Sequence, residues 1–419
     1  MRDTFVVQVA HLQSNAAPAQ VSMEPVAVTH GDLGRIYARI RSTGPSFWAD
    51  GPGSGSRIGM LEPTRPLDRA GWRATVREEL RSRELFGWFG YEAGGWAHRQ
   101  PSRSPGPLPD AWLGRVRAEL VVRDGRAWIR GDRDAAVALR EAVGGGVATP
   151  ERTPTGRVVS HADRALFERG VRAVLGHLRA GDCYQVNLAR EIRIATPGDP
   201  FDVWSRLRAS NPSRRGALIE TPYGAIVCNS PELLMEARGG RVVSVPIKGT
   251  APIHDDPRVL LRSAKERAEL TMIVDLVRAD LGRVARTGTV VAGPRRVGRV
   301  GHVWHAVQRV GCTLADEADA VDAFAALFPA GSVTGAPRER AMEVIHALEP
   351  GRRGVYCGAV GGFGADGAAR WSVAIRTITF AGGEATLHVG AGIVLGSVPS
   401  REYDETSLKA SRMLAAVCG

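Results

Sequence analysis

The chain has 419 residues, 44% hydrophobic and 24% charged, the balance of a globular protein of one large domain or two ordinary ones. No apolar stretch approaches the roughly 20 residues that cross a bilayer, and the first residues carry no signal-peptide core, so a cytoplasmic protein with no membrane partner is expected. The net charge of +11 suits an acidic partner, but the arginines are scattered, without the basic blocks or interleaved aromatics of a nucleic-acid binder, so no nucleic-acid partner is expected.

In chain order, the apolar runs at 85–96 and 118–131 predict strands, with Asp124-Gly125 as a hairpin turn. A Pro/Ser-rich loop falls at 100–110. The Gly/Pro/Thr-rich stretch 143–156 is the better boundary, giving an N-terminal region 1–145, a linker 146–158 and a catalytic region 159–419. After it, Leu166, Phe167, Val171, Val174, Leu175 and Leu178 make one helical stripe over 161–180, with Ser160 and Asp163 as a capping box. Further helices are predicted near 263–285, 337–348 and 400–416. Strands are predicted at 224–229, 233–237, 241–245, 371–380 and 385–389. Hairpins outnumber βαβ crossovers, which predicts an α+β fold with largely antiparallel sheets. Five cysteines, odd in number and without a CxxC pair, fit a reducing compartment rather than a disulfide framework.

Only three lysines occur among 55 Lys and Arg residues: Lys248, Lys265 and Lys409. Lys248 ends a strand-like run after Gly239-Gly240. A three-residue turn would pair Arg238 with Val242 and set Glu232 opposite Lys248, on the polar face of a hairpin whose odd positions point inward. A surface ion pair is the plain reading. Pro246 and Gly249-Thr250 end the strand abruptly, as at the lip of a cleft. There a shielded amine becomes a nucleophile and a neighbouring carboxylic acid protonates a leaving group.

Glu266 with Glu269, and Glu402 with Glu405, lie at i, i+3 on two predicted helices. Lys265–Glu269 and Glu405–Lys409 are also ordinary i, i+4 pairs. Two E-x-x-E faces in a basic chain suggest a shared hard cation, Mg²⁺. Gly331, Gly335 and Pro337 precede a helix start suited to an anion, and Arg376 stands amid apolar neighbours in a predicted strand.

Several stretches together resemble the chorismate-utilising enzymes, among them anthranilate synthase component I, aminodeoxychorismate synthase component I and the isochorismate and salicylate synthases. They are "GDCYQVNLAR" (181–190), "NSPELL" (229–234), "PIKGTAP" (246–252), "KERAELTMIVDLVRADLGRV" (265–284), "GSVTGAPRERAMEVI" (331–345), "YCGAVGGF" (356–363), "AIRTITF" (374–380) and "GAGIVLGSVPSREYDET" (390–406). They run in family order over roughly 160–415, and "WFGYEAG" (88–94) looks like the family's more variable N-terminal part. The resemblance implies sheets packed as a β-sandwich with helices outside. Water-adding members tend to carry a lysine where this chain has Gln185, which argues against them. Anthranilate synthases usually read Pro-Ile-Ala-Gly-Thr where aminodeoxychorismate synthases read Pro-Ile-Lys-Gly-Thr, as here.

What this likeness implies is a sequence of two displacements. Lys248 attacks C2 of chorismate as the C4 hydroxyl leaves, protonated by Glu232, and ammonia at C4 then expels the lysine, towards 4-aminobenzoate. Glu269 and Glu405 match Mg²⁺ ligands, with Glu266 and Glu402 acting directly or through water. Tyr356 and Arg376 match a carboxylate grip, and Gly390, Ala391 and Gly392 match a stretch of backbone donors. His305, Thr334, Gly335, Gln185 and Thr250 complete the substrate-binding set. A glutamine amidotransferase subunit is implied as ammonia source, since Cys183 and Cys357 sit inside synthase motifs and no nucleophilic-cysteine elbow occurs. With no lyase domain after residue 419, aminodeoxychorismate is the expected product. The chain departs from its relatives at Gly362, Arg370-Trp371 and Ala279, where an aromatic, an Asp-Thr pair and Asn are common.

Overall fold

The computed structural model describes residues 24–28, 32–51, 55–98, 103–145, 155–161, 163–300 and 303–419. Most of the expected linker (146–154) and part of the expected loop (100–102) lie outside the described residues.

Among the described residues, twenty strands join in one open, antiparallel sheet with two arms. One arm runs from Gln185–Ala195 through Glu384–Ile393, Thr377–Ala381, Gly224–Asn229, Gly216–Thr221 and Ser46–Asp50 to Ser56–Glu62. The other runs from Leu85–Phe89 through Ala359–Phe363, Ala369–Val373, Leu233–Arg238 and Arg241–Val245 to Val303–Thr313. The long Ala111–Arg123 strand pairs with both Ser56–Glu62 and Leu85–Phe89, and so joins the arms. The arms face each other. Phe47 of one stacks on Phe86 of the other at 4.4 Å, and Trp88, Trp112, Ile219, Ile226 and Val360 fill the same layer. Removing each such side chain from water contributes roughly 1.5–3 kcal/mol.

Helices cover the outer faces. Phe201, Trp204, Leu207 and Met413, on Pro200–Ser210 and Pro399–Cys418, pack on the first arm. Ile273, Val277 and Phe324, on Ala264–Gly282 and Ala320–Leu327, pack on the second. This is the α+β sandwich expected.

The polypeptide crosses between the arms at 230–232 and again at 374–376. The crossings are tied together: Asn229 N–H donates to the Arg376 carbonyl at 2.9 Å, and Val373 N–H to the Glu232 carbonyl at 3.1 Å.

Several local expectations are met and others are not. Asp124 and Gly125, both at positive φ, close the hairpin as expected. The 85–96 segment is a strand only to Phe89 and is helical from Tyr91. The Arg164–Arg179 helix is capped by Asp163 alone, which accepts from Ala165 N–H at 2.9 Å, while Ser160 belongs to the Arg157–His161 strand. Leu166 is 41% exposed, off the buried stripe. The 371–380 segment is two strands, broken at Arg376, whose φ is +52°.

The hairpin at Gly239-Gly240 also differs. Both glycines take positive φ and form a two-residue turn, so Arg238 pairs with Arg241 and Ala237 with Val242. Near the turn odd positions therefore face even ones, a bulge then sets Leu233 opposite Val245, and Val242 and Ser244 are the buried residues of the second strand. The strand ends at Val245; after Pro246 a new strand, Ile247–Pro252, pairs with Val303–Thr313. Lys248 lies opposite Ala306, not Glu232.

Candidate active site

Lys248 nevertheless feels the charge of Glu232, because the site forms where the arms approach one another. Its Nζ donates to Gln185 Oε1 at 3.0 Å, bridging the Ile247–Pro252 strand and the first residue of Gln185–Ala195. Removal from water lowers the Lys248 pKa; the carboxylates of Glu269 and Glu232 oppose this, and Lys409 adds to it. Gln185 is fully buried, and its Nε2 has no partner. A Cβ on Gly392 would stand 3.4 Å from both the Gln185 carboxamide nitrogen and the Lys248 amine, so glycine keeps that space open.

Glu232 is 5% exposed and sits at the first crossing between the arms. Burial pushes its carboxyl up to about 7, against the Ser332 hydroxyl, the Lys248 amine, the Ile247 N–H and Arg215, which favour the carboxylate. A lysine with a lowered pKa near a carboxylic acid that titrates close to neutrality has the chemistry to supply a nucleophile and a proton donor in one place.

His305 is buried. Its Nδ1 bonds the Gly249 carbonyl at 2.8 Å, with the Thr250 hydroxyl 3.3 Å away, while Nε2 has no partner. Burial, with the nearby Arg376 and Lys409 charges, pulls its pKa down to about 4, so the ring is neutral and Nε2 is an unfilled acceptor. Thr250 itself is exposed.

Arg376 occupies the second crossing, half-buried, with no carboxylate partner among the described residues; burial first, then Arg412, lowers its pKa. Tyr356 is buried, and its hydroxyl would lie 2.8 Å from a Cβ at Gly390. Gly390, Ala391 and Gly392 belong to Glu384–Ile393, whose pairing with Thr377–Ala381 ends at Leu387. Beyond that point the strand has one neighbour and backbone groups left for a ligand. Thr334 spends its hydroxyl proton on the Ala330 carbonyl at 2.9 Å. Gly335, at φ +147°, lies so close to the Gln185 carbonyl that any side chain would collide with it.

The four carboxylates come from two helices, Ala264–Gly282 and Pro399–Cys418. Burial raises the Glu269 pKa, Lys248 opposes this, and the charges of Glu266 and Glu405 raise it further. Burial likewise raises Glu402, the Ser397 hydroxyl opposes it, and Glu405 raises it. The two helices thus hold acids in each other's field. Lys265 lies 3.8 Å from Glu269 and Lys409 2.7 Å from Glu405, the i, i+4 pairs of the plain reading. Among the described residues no three of these carboxylates converge as a ready-made metal cluster. The donors are all oxygen and mutually repelling, which suits a hard cation completed by water and substrate oxygens.

The sequence did not single out Ser332, Arg215 or the reach of Lys409 to the Gly390 carbonyl at 3.0 Å. The scarcity of lysine was the available signal for the last: all three lysines gather at this site.

The family profile described as chorismate binding enzyme matches residues 53–415. A protein named anthranilate synthase component 1, from Streptomyces coelicolor, is 41% identical over 306 residues, 71% of this chain and 59% of that protein. One named aminodeoxychorismate synthase component 1, from Bacillus subtilis, is 40% identical over 259 residues, 60% of this chain and 55% of that protein. The matched part thus spans little more than half the length of these relatives. The crystal structure of anthranilate synthase component I from Streptococcus pneumoniae superposes with a TM-score of 0.74 at 26% identity, covering 96% of this chain and 94% of that one.

Proposed function

The chain belongs to the chorismate binding enzymes, and we propose that within them it acts as component I of an aminodeoxychorismate synthase. The observation that carries this reading is the Lys248 amine, hydrogen-bonded to Gln185 and facing the protonatable Glu232. In the first step the Lys248 nitrogen bonds to C2 of chorismate, the ring double bond shifts, and the C4–O bond breaks. Glu232 gives its proton to the departing hydroxyl, which leaves as water. In the second step ammonia bonds to C4, the double bond returns, and the C2–N bond to Lys248 breaks, releasing the free lysine amine; the new ammonium returns a proton to the Glu232 carboxylate, yielding 4-amino-4-deoxychorismate. Arg376 and Tyr356 would grip one substrate carboxylate, and the unfilled Nε2 of His305 would accept a hydrogen bond from a substrate hydroxyl or the incoming amine. Mg²⁺ held by Glu269 and Glu405, with Glu266 and Glu402, would neutralise the other carboxylate. A glutamine amidotransferase subunit would supply the ammonia.

The second reading, anthranilate synthase component I, is favoured by the relative from Streptomyces coelicolor. Incubation with chorismate, Mg²⁺ and an ammonium salt separates the two. Aminodeoxychorismate synthesis gives 4-aminobenzoate only after a lyase is added, whereas fluorescent anthranilate without a lyase would overturn the proposal.

A further inference from the structure

Glu232 has two carboxyl oxygens, and only one can carry the proton it delivers. Ser332 Oγ donates to Oε1 at 2.7 Å, across 100 residues of sequence. The bond is enclosed, since Ser332 is 8% exposed and Glu232 5%. Both ends are fixed. Gly331, the neighbour of Ser332, packs so tightly on Leu276 that a side chain there would collide with it. The Glu232 N–H donates to Ser230 Oγ at 3.1 Å, its carbonyl accepts from Val373, and Arg215 holds the preceding Pro231 carbonyl at 3.0 Å. A hydroxyl that donates to Oε1 makes Oε1 the carbonyl oxygen of the neutral acid and leaves its proton on Oε2.

We infer that Ser332 is a positioning residue that confines the acidic proton of Glu232 to Oε2, so that it is presented to the leaving group in one orientation. The inference rests on the proposed acid role of Glu232. The charged and titratable groups facing Glu232 are Lys248, Arg215 and Cys357. Burial pushes the Cys357 thiol up to about 12, so it stays neutral, and Lys248 and Arg215 remain in every Ser332 variant. Of the groups that favour the Glu232 carboxylate, Ser332 has the largest effect. Its removal therefore raises the pH at which the acid is lost.

The test is the pH profile of kcat with chorismate and Mg²⁺ at fixed free ammonia. Ser332→Ala is expected to lower kcat about tenfold with little change in KM, and to move the high-pH limb upward. Ser332→Cys, close in size and a weak donor, should move the limb the same way, and Ser332→Thr should restore it. Glu232→Gln should remove the limb, and Ser332→Ala added to it should cost nothing more. If Ser332→Ala and Ser332→Cys lose rate while their limb stays at the wild-type position, the serine only fills space and the inference is overturned. If Glu232→Gln keeps the wild-type limb, the acid assignment fails, and the role of Ser332 with it.

Discussion

Two sets of polar groups lie near the Gln185–Ala195 strand, and they are built oppositely. In one, Arg353 is matched: it donates to Glu349 at 2.6 and 2.8 Å and to the carbonyls of Val333 and Asn187, while Glu349 also accepts from Ala189 N–H. In the other, matches are missing. Arg376 has no carboxylate partner among the described residues, and Gln185 Nε2 and His305 Nε2 are unpaired. Around Arg353 and Glu349 the buried charges are paired with each other and with the backbone. The unfilled atoms outline what is expected to arrive: anionic oxygens at Arg376 and a proton donor at His305.

The sharpest break in this contrast is Lys248→Ala. Turnover should fall at least ~1,000-fold with little loss of stability, because a nucleophile is removed from a place where it gains little as structure. Steady-state assay and thermal melting read the two effects, and retained turnover would favour the anthranilate reading. Glu349→Gln should do the reverse, costing about 3–5 kcal/mol in denaturant unfolding by stranding the Arg353 charge. Glu232 gives a pH signature. Its folded pKa of about 7 lies above the ordinary value, so the folded state binds more protons between roughly pH 4.5 and 7, and stability falls as pH rises through that window. Glu232→Gln should therefore be more stable than wild type at pH 8, by on the order of 2–3 kcal/mol, and the difference should vanish by pH 4. The mildest change is Arg376→Gln: KM for chorismate should rise about tenfold while melting stays constant or improves, since no internal ion pair is lost.

The sequence carried the composition of the site better than its construction. Lys248 and Glu232 were paired through a hairpin register that a two-residue Gly-Gly turn does not make. They come within each other's electrostatic field instead because Pro246 ends one strand and Glu232 sits on a crossing between arms. Local periodicity fixes which side chains share a face, but not which turn two glycines choose. The break at Arg376 is hidden by a continuous run of strand-forming residues, and its positive φ and the tie to Asn229 reveal it. Ser332 was invisible for another reason. Its partner is 100 residues away, and a serine in a glycine-rich loop looks like any capping residue. The helices were easier, because their 3.6-residue stripes and the lone Asp163 cap are local signals.

The two crossings carry a mechanical consequence. Glu232 and Arg376 ride on neighbouring threads stitched by two backbone hydrogen bonds, at the seam where one half of the sandwich hands the polypeptide to the other. A slide of one half over the other would carry Glu232 and Arg376 along together while shifting both against Lys248. The aromatic filling around Phe47 and Phe86, remote in sequence from Lys248, Glu232 and Arg376, is the layer on which such a slide would have to move.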